Sequence, residues 1–152
     1  MAQYFDHTFG LPILVPSKQD ERETAFVSRF RTLVERTLTP QMLKSAMLPS
    51  KREVVVFVLQ FFLTRKEYER RDVDNIGKTV LDSLKGKLYL DDVQVRTLLV
   101  SKKLHERVPD NFVFVGVKEL RGETDIEVVR EKLVEQGVTL YQASVKSSNA
   151  LS

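Results

Sequence analysis

Arg70-Arg71-Asp72-Val73-Asp74-Asn75-Ile76-Gly77-Lys78, answered by Leu90-Asp91-Asp92, is the stretch from which the rest of the chain is read. It gathers carboxylates, a lysine and an arginine pair into one short supersecondary unit. Carboxylates that converge are the usual way to hold Mg²⁺, a hard cation that takes oxygen ligands and keeps waters for a substrate's phosphate. The flanking bases suit a polyanion.

Chain lengths allow the acids to meet. A helix over about residues 75–85 carries the chain roughly 16 Å away from Asp72 and Asp74. Five extended residues, Leu88 to Asp92, return about 17 Å, so Asp91 or Asp92 is expected back beside the start of the helix. Asp72 and Asp74, two apart, share one side if the entry is extended. Lys78, four residues after Asp74, falls on the same helix edge.

Each residue also has a plainer reading. Asp74 is a good N-cap for the helix, Asp91-Asp92 reads as a turn, Lys78 can pair with Asp82 at i+4, and Arg70 and Arg71 can be loop solubility. The combination Asp-x-Asp-Asn-x-x-Lys followed by Leu-Asp-Asp is much rarer than any of its parts.

Residues 71–84, together with Leu90-Asp91-Asp92-Val93-Gln94-Val95, resemble the signature of the RusA family of Holliday junction resolvases. The close match covers about residues 70–96, and a looser match in element order runs from about Pro12 to Leu120. The resemblance implies a homodimeric, Mg²⁺-dependent endonuclease that nicks four-way DNA junctions in symmetric pairs. It puts the catalytic acids at Asp72, Asp74 and Asp92 and the catalytic lysine at Lys78. Asn75 and Asp91 match further motif positions, and Asp91 stands beside Asp92 as an alternative metal ligand.

The mechanism then expected is metal-assisted phosphodiester hydrolysis, with one set of three acids from each subunit. Arg65, Lys66, Arg70, Arg71, Lys102, Lys103 and Arg107 are candidate contacts to DNA phosphates. Tyr68 and Tyr89 are candidates for base stacking or for core packing. Rival readings are a broader flap or branched-DNA nuclease, a non-catalytic junction-binding protein and a metal-regulated interaction module.

Composition agrees with a single DNA-acting domain without requiring one. The chain has 152 residues, a net charge of +3 and a basic pI, a modest excess that many proteins share. With no Cys and two His, neither a disulfide framework nor a zinc centre is expected, and oxygen-ligated Mg²⁺ remains. The apolar run from Val54 to Leu63 is far short of the roughly 20 residues of a membrane helix. No export signal is visible, so cytoplasmic residence is expected.

Along the chain, Ser17 with Asp20 and Glu21 opens a first helix whose core stripe is Phe26, Phe30, Leu33 and Thr37. Thr39-Pro40 is expected to stop it and start a short second helix. A strand over about residues 53–64 feeds a basic loop at 65–71, and the helix at 75–85 buries Ile76, Val80 and Leu84. Strands at about 93–105 and 112–119, both largely covered, flank a turn at Pro109-Asp110-Asn111.

Thr124 with Glu127 caps a last helix that Gly137 ends. A short strand at 138–142 then closes a single domain over residues 1–142, with a polar, mobile tail at 143–152. Together these elements predict an α+β sandwich, a small mixed sheet with helices on one side.

Overall fold

A computed structural model describes residues 4–16, 24–45, 47–122 and 131–151. Its centre is β2 (Val54–Phe62), a nine-residue run in which every residue but Gln60 is β-branched, aromatic or Leu. Such a run suits a strand buried on both faces and paired on both edges. Around it, β1 (His7–Leu11), β4 (Phe112–Glu119) and β3 (Val95–Leu104) complete a four-stranded sheet in the order β1-β4-β2-β3. β2 runs antiparallel to β4 and parallel to β3, and β1 runs antiparallel to β4. The parallel β2–β3 pair requires a crossover, and the chain between them supplies it as α2 (Arg65–Arg70) and α3 (Val73–Leu84).

Alternation along β2 separates two faces. Val54, Val56, Val58 and Phe62 point into the core with Val113, Val115 and Val117 of β4. The helix α1 (Thr24–Lys44) contributes Phe30, Val34 and Leu38, and α3 contributes Ile76, Val80 and Leu84. On the other face Phe57 packs edge-on to Phe114, and Phe5 stacks on Phe57. The expected α+β sheet with helices is therefore what the chain forms.

Gln60 is fully buried on the core face, a position that demands partners for its amide. Its oxygen accepts the Val15 amide at 3.0 Å, and its nitrogen donates to the carbonyls of Ile13 and Phe112, each at 3.1 Å. The polar residue that interrupts the apolar run thus pins the segment Pro12–Pro16 to the sheet.

Several local expectations change. In α1 the buried stripe is Val27, Phe30, Val34 and Leu38, while Phe26 is 57% exposed. The more apolar of the two adjacent stripes faces the core, displacing Phe26 and leaving Leu33 and Thr37 at its margin. α1 also continues through Pro40 to Lys44. Pro40 and Arg36 both lie on the exposed side, where water can take the Arg36 carbonyl that proline leaves without a donor.

The basic loop at 65–71 is helical: Thr64 caps α2 by accepting the Glu67 amide at 3.3 Å. β3 is less covered than its composition suggests, with Leu98 and Leu99 exposed, because it is an edge strand. Strand β1 had no counterpart in the sequence reading.

The chain divides into two compact units, Met1–Arg121 and Gly122–Ser152. In the second, α4 (Glu131–Leu151) runs through Gly137 and through the residues expected as an edge strand and tail. Its apolar residues Val134, Val138, Tyr141 and Val145 recur at i, i+4, i+7 and i+11 across that glycine. One glycine costs a helix only about 1 kcal/mol. The helix start at Ser17 and the capping pair Thr124 and Glu127 lie outside the described residues.

Candidate active site

The entry to α3 builds the acidic end of the site. Arg71 and Asp72 are extended, Asp72 is the N-cap, and Asp74 lies in the first helical turn. Asp74 is therefore not the cap that its sequence position suggested. Asp72 holds the cap position without making a side-chain cap bond, so its carboxylate stays available. Asp72, Asp74 and Lys78 are all exposed. Asp82, the plain partner expected for Lys78, instead meets Arg31 of α1 at 3.9 Å, and Lys78 has no carboxylate of a described residue within ion-pair reach.

This entry is held from three directions. Arg71 donates from its guanidinium to the Val15 carbonyl at 2.9 Å, and the buried Thr79 hydroxyl donates to the Pro16 carbonyl at 3.0 Å. Lys102 of β3 donates from its ammonium to the carbonyls of Tyr68 at 2.6 Å and Arg71 at 2.8 Å, with the Tyr68 ring 4.3 Å below. Between these anchors, Val15, Pro16, Arg70, Arg71, Asp72 and Asn75 line a cleft of ≈ 90 Å³. Two arginines and one aspartate supply its charge. That arrangement suits a phosphate approached through a cation.

Asp91 and Asp92 sit elsewhere. Gly77 brings α3 close to Leu98 and Val100 of β3, and past it the helix runs on to the start of that strand. There the Tyr89 hydroxyl lies 3.0 Å from the Leu81 carbonyl and 3.2 Å from a carboxylate oxygen of Asp92. Lys85, the C-cap of α3, reaches Asp91 at 3.4 Å. Leu81 is nine residues beyond Asp72, about 13 Å along the helix axis. Asp72 and Asp74 thus mark one end of α3, and Asp91 and Asp92 the other.

The expected return of the second acidic pair to the helix start does not occur within one chain. The reason is Tyr89. It is fully buried, which draws the returning segment into the core beside the last turn of α3. Burial, with Asp92 next to it, pushes the Tyr89 phenol far above its ordinary pKa, so it remains a donor at any working pH. Its burial makes core packing, rather than base stacking, its place in the fold.

Asp91 and Asp92 differ in their freedom. The Gln94 backbone amide donates to the Asp91 carbonyl at 3.0 Å, and the Asp91 carboxylate meets Lys85. Among the described residues, Asp92 meets only the Tyr89 hydroxyl, on one oxygen. Among the described residues no three His, Cys, Asp or Glu side chains stand together as a ready ion cage. The donor chemistry nevertheless fits a hard divalent cation: Asp72, Asp74 and Asp92 offer carboxylate oxygens that no described cation neutralises.

The remaining basic candidates lie on α2, within the last residues of β3 or just beyond it. Arg65 pairs with Glu69 at 3.7 Å and Arg70 with Glu67 at 4.0 Å, both on the exposed side of α2. Lys66 is exposed on α2 as well. Lys103 and Arg107 border a groove of ≈ 360 Å³ with Leu59, Phe61, Leu104 and Glu106. Sequence reasoning missed Gln60 and Thr79, whose partners are backbone atoms 45 to 63 residues away, and Gln94, described below.

An α+β domain with an acid-rich, base-flanked helix entry is chemically compatible with action on a phosphodiester. Residues 15–115 match the model of the family described as endodeoxyribonuclease RusA, and the chain belongs to that family. Membership indicates a junction-cleaving endodeoxyribonuclease. Comparison with curated proteins finds no match. Among the described residues no helix is long and apolar enough to cross a membrane.

Proposed function

We propose that this protein is a Mg²⁺-dependent endodeoxyribonuclease that resolves four-way DNA junctions by paired symmetric nicks, acting as a homodimer in DNA recombination and repair in the cytoplasm. The observation that carries the reading is the set Asp72, Asp74 and Asp92 at the two ends of α3, none of them in an ion pair with a described residue, with Lys78 and the Arg70-Arg71 pair beside the first two. A single chain keeps Asp72 and Asp74 apart from Asp92. Two copies related by a two-fold axis can bring the start of one α3 against the end of the other, so that each site takes Asp72 and Asp74 from one copy and Asp92 from its partner. Two such sites face two opposed strands, as symmetric nicking needs.

When bound there, a divalent ion supplies an activated water and neutralises charge developing on the phosphate oxygens. The chain's own residues do the rest. Lys78, with no carboxylate partner among the described residues, adds positive charge at the scissile phosphate. Arg65, Lys66, Arg70, Arg71, Lys103 and Arg107 face DNA phosphates, and binding is therefore expected to weaken with salt. Lys102 holds the backbone that carries Asp72 and reaches DNA only at the expense of that contact.

The test is incubation of labelled four-way junction, flap and linear duplex with the protein, in Mg²⁺ or in EDTA, alongside Asp72→Asn. Paired nicks on the junction alone, lost in EDTA and in the variant while junction binding persists, are the expected result. Equal cutting of all branched substrates would favour a broader nuclease. Binding without any Mg²⁺-dependent cutting would leave a junction-binding protein.

A further inference from the structure

The turn that presents Asp92 is held by more hydrogen bonds than a surface turn needs. Gln94 uses every donor and acceptor of its side-chain amide. Its oxygen accepts the amides of Leu90 at 2.8 Å and Asp91 at 2.9 Å, and its nitrogen donates to the carbonyls of Ser50 and Arg52, each at 2.8 Å. The turn is thereby fixed to the segment that leads into β2.

Tyr89 acts on the carboxylate itself. A buried phenol needs one acceptor, and the Leu81 carbonyl, which already accepts the Lys85 amide at 3.1 Å, lies within reach. The same hydroxyl also lies 3.2 Å from Asp92. A carboxylate at the C-terminal end of a helix faces the negative end of the helix dipole, an unfavourable place unless a donor offsets it. Among the described residues, the Tyr89 hydroxyl is the donor within hydrogen-bond reach of the Asp92 carboxylate. Its one hydrogen is shared between the Leu81 carbonyl and one Asp92 oxygen, and no described residue donates to the other oxygen.

On the reading of Asp92 as a metal ligand, we infer that Tyr89 and Gln94 are positioning residues, which hold Asp92 in the orientation that binds the divalent ion. Neither touches the substrate. Groups that orient a ligating carboxylate typically alter metal affinity by about 10- to 100-fold, and the signature is a shift in metal dependence rather than in the maximal rate.

The experiment titrates Mn²⁺ binding by electron paramagnetic resonance on the full-length protein and Mg²⁺ dependence of junction cutting, for wild type, Tyr89→Phe and Gln94→Ala. Tyr89→Phe keeps the buried ring and removes only the hydroxyl. It is expected to raise both half-saturation points about tenfold, with cutting at saturating Mg²⁺ largely retained. Gln94→Ala should shift both in the same direction, and it decides the matter if thermal unfolding shows that Tyr89→Phe fails to fold.

Unchanged half-points in the folded variants, or a fall in maximal rate with no metal shift, would overturn the inference. A Mn²⁺ shift in a protein whose wild type cuts no DNA would uphold the positioning role and sink the nuclease reading. A wild type that binds no Mn²⁺ would overturn both.

Discussion

Lys102 is half-buried, and its ammonium closes the last turn of α2 and the peptide before Asp72. A cation at a helix C-terminus complements the dipole, and two short bonds to carbonyls are charge-assisted. Lys102→Met keeps the aliphatic stem and removes the donors, so it should destabilise the protein by about 2 kcal/mol. Urea unfolding would read this as a lower midpoint at unchanged slope. A change under about 0.5 kcal/mol would mark Lys102 as an ordinary surface base. The carbonyls it serves lie 31 and 34 residues away, and no local pattern announces such a pairing. The same holds for Gln60, read in sequence only as an interruption of an apolar run. The motif residues Asp72, Asp74, Lys78 and Asp92 could be picked out because their spacing is local and unusual; their distribution to opposite ends of α3 could not, because it turns on whether Tyr89 faces the core.

Among the elements, β2 and β4 are legible in advance from their near-continuous apolar runs and α3 from its helical apolar period. α2, six residues long, is carried by the Thr64 cap and by Lys102 rather than by composition. β1 is short and contains Gly10, and only its pairing with β4 makes it a strand. Asp6, just before β1, ties that pairing down. One oxygen accepts the Glu119 amide at 2.7 Å and the other the Arg121 guanidinium at 2.6 Å. Partial burial pushes the Asp6 carboxyl up, but the hydrogen bonds from Arg121 and Glu119, with the charges of Arg121 and Lys118, outweigh it and leave the group below its ordinary value. A folded-state pKa below the unfolded one contributes stability above the unfolded value and loses it as pH falls through the folded value. Asp6→Asn should therefore cost about 1 kcal/mol at neutral pH. The gap from wild type should persist down to about pH 4 and close below it. Thermal unfolding across pH 2 to 7 checks this; a gap that stays constant to the lowest pH would contradict it.

For the whole molecule, the decisive fact is that the axis of α3 separates the acids by more than a metal ion spans. On the proposed reading, a site that uses all three acids takes them from two chains. The exposed apolar residues Val73, Leu90, Val93 and Leu98 lie on and around α3 and the edge strand β3, a surface consistent with a neighbour there. Subunit mixing tests this most directly. Asp72→Asn and Asp92→Asn proteins, each inactive alone, are co-expressed with different tags and the mixed dimer is isolated. With sites shared between copies, one site of that dimer contains only native acids, and cleavage returns as single nicks on the junction. With each site confined to its own chain, both sites carry a defect, and a folded, junction-binding mixed dimer that cuts nothing would contradict the shared site.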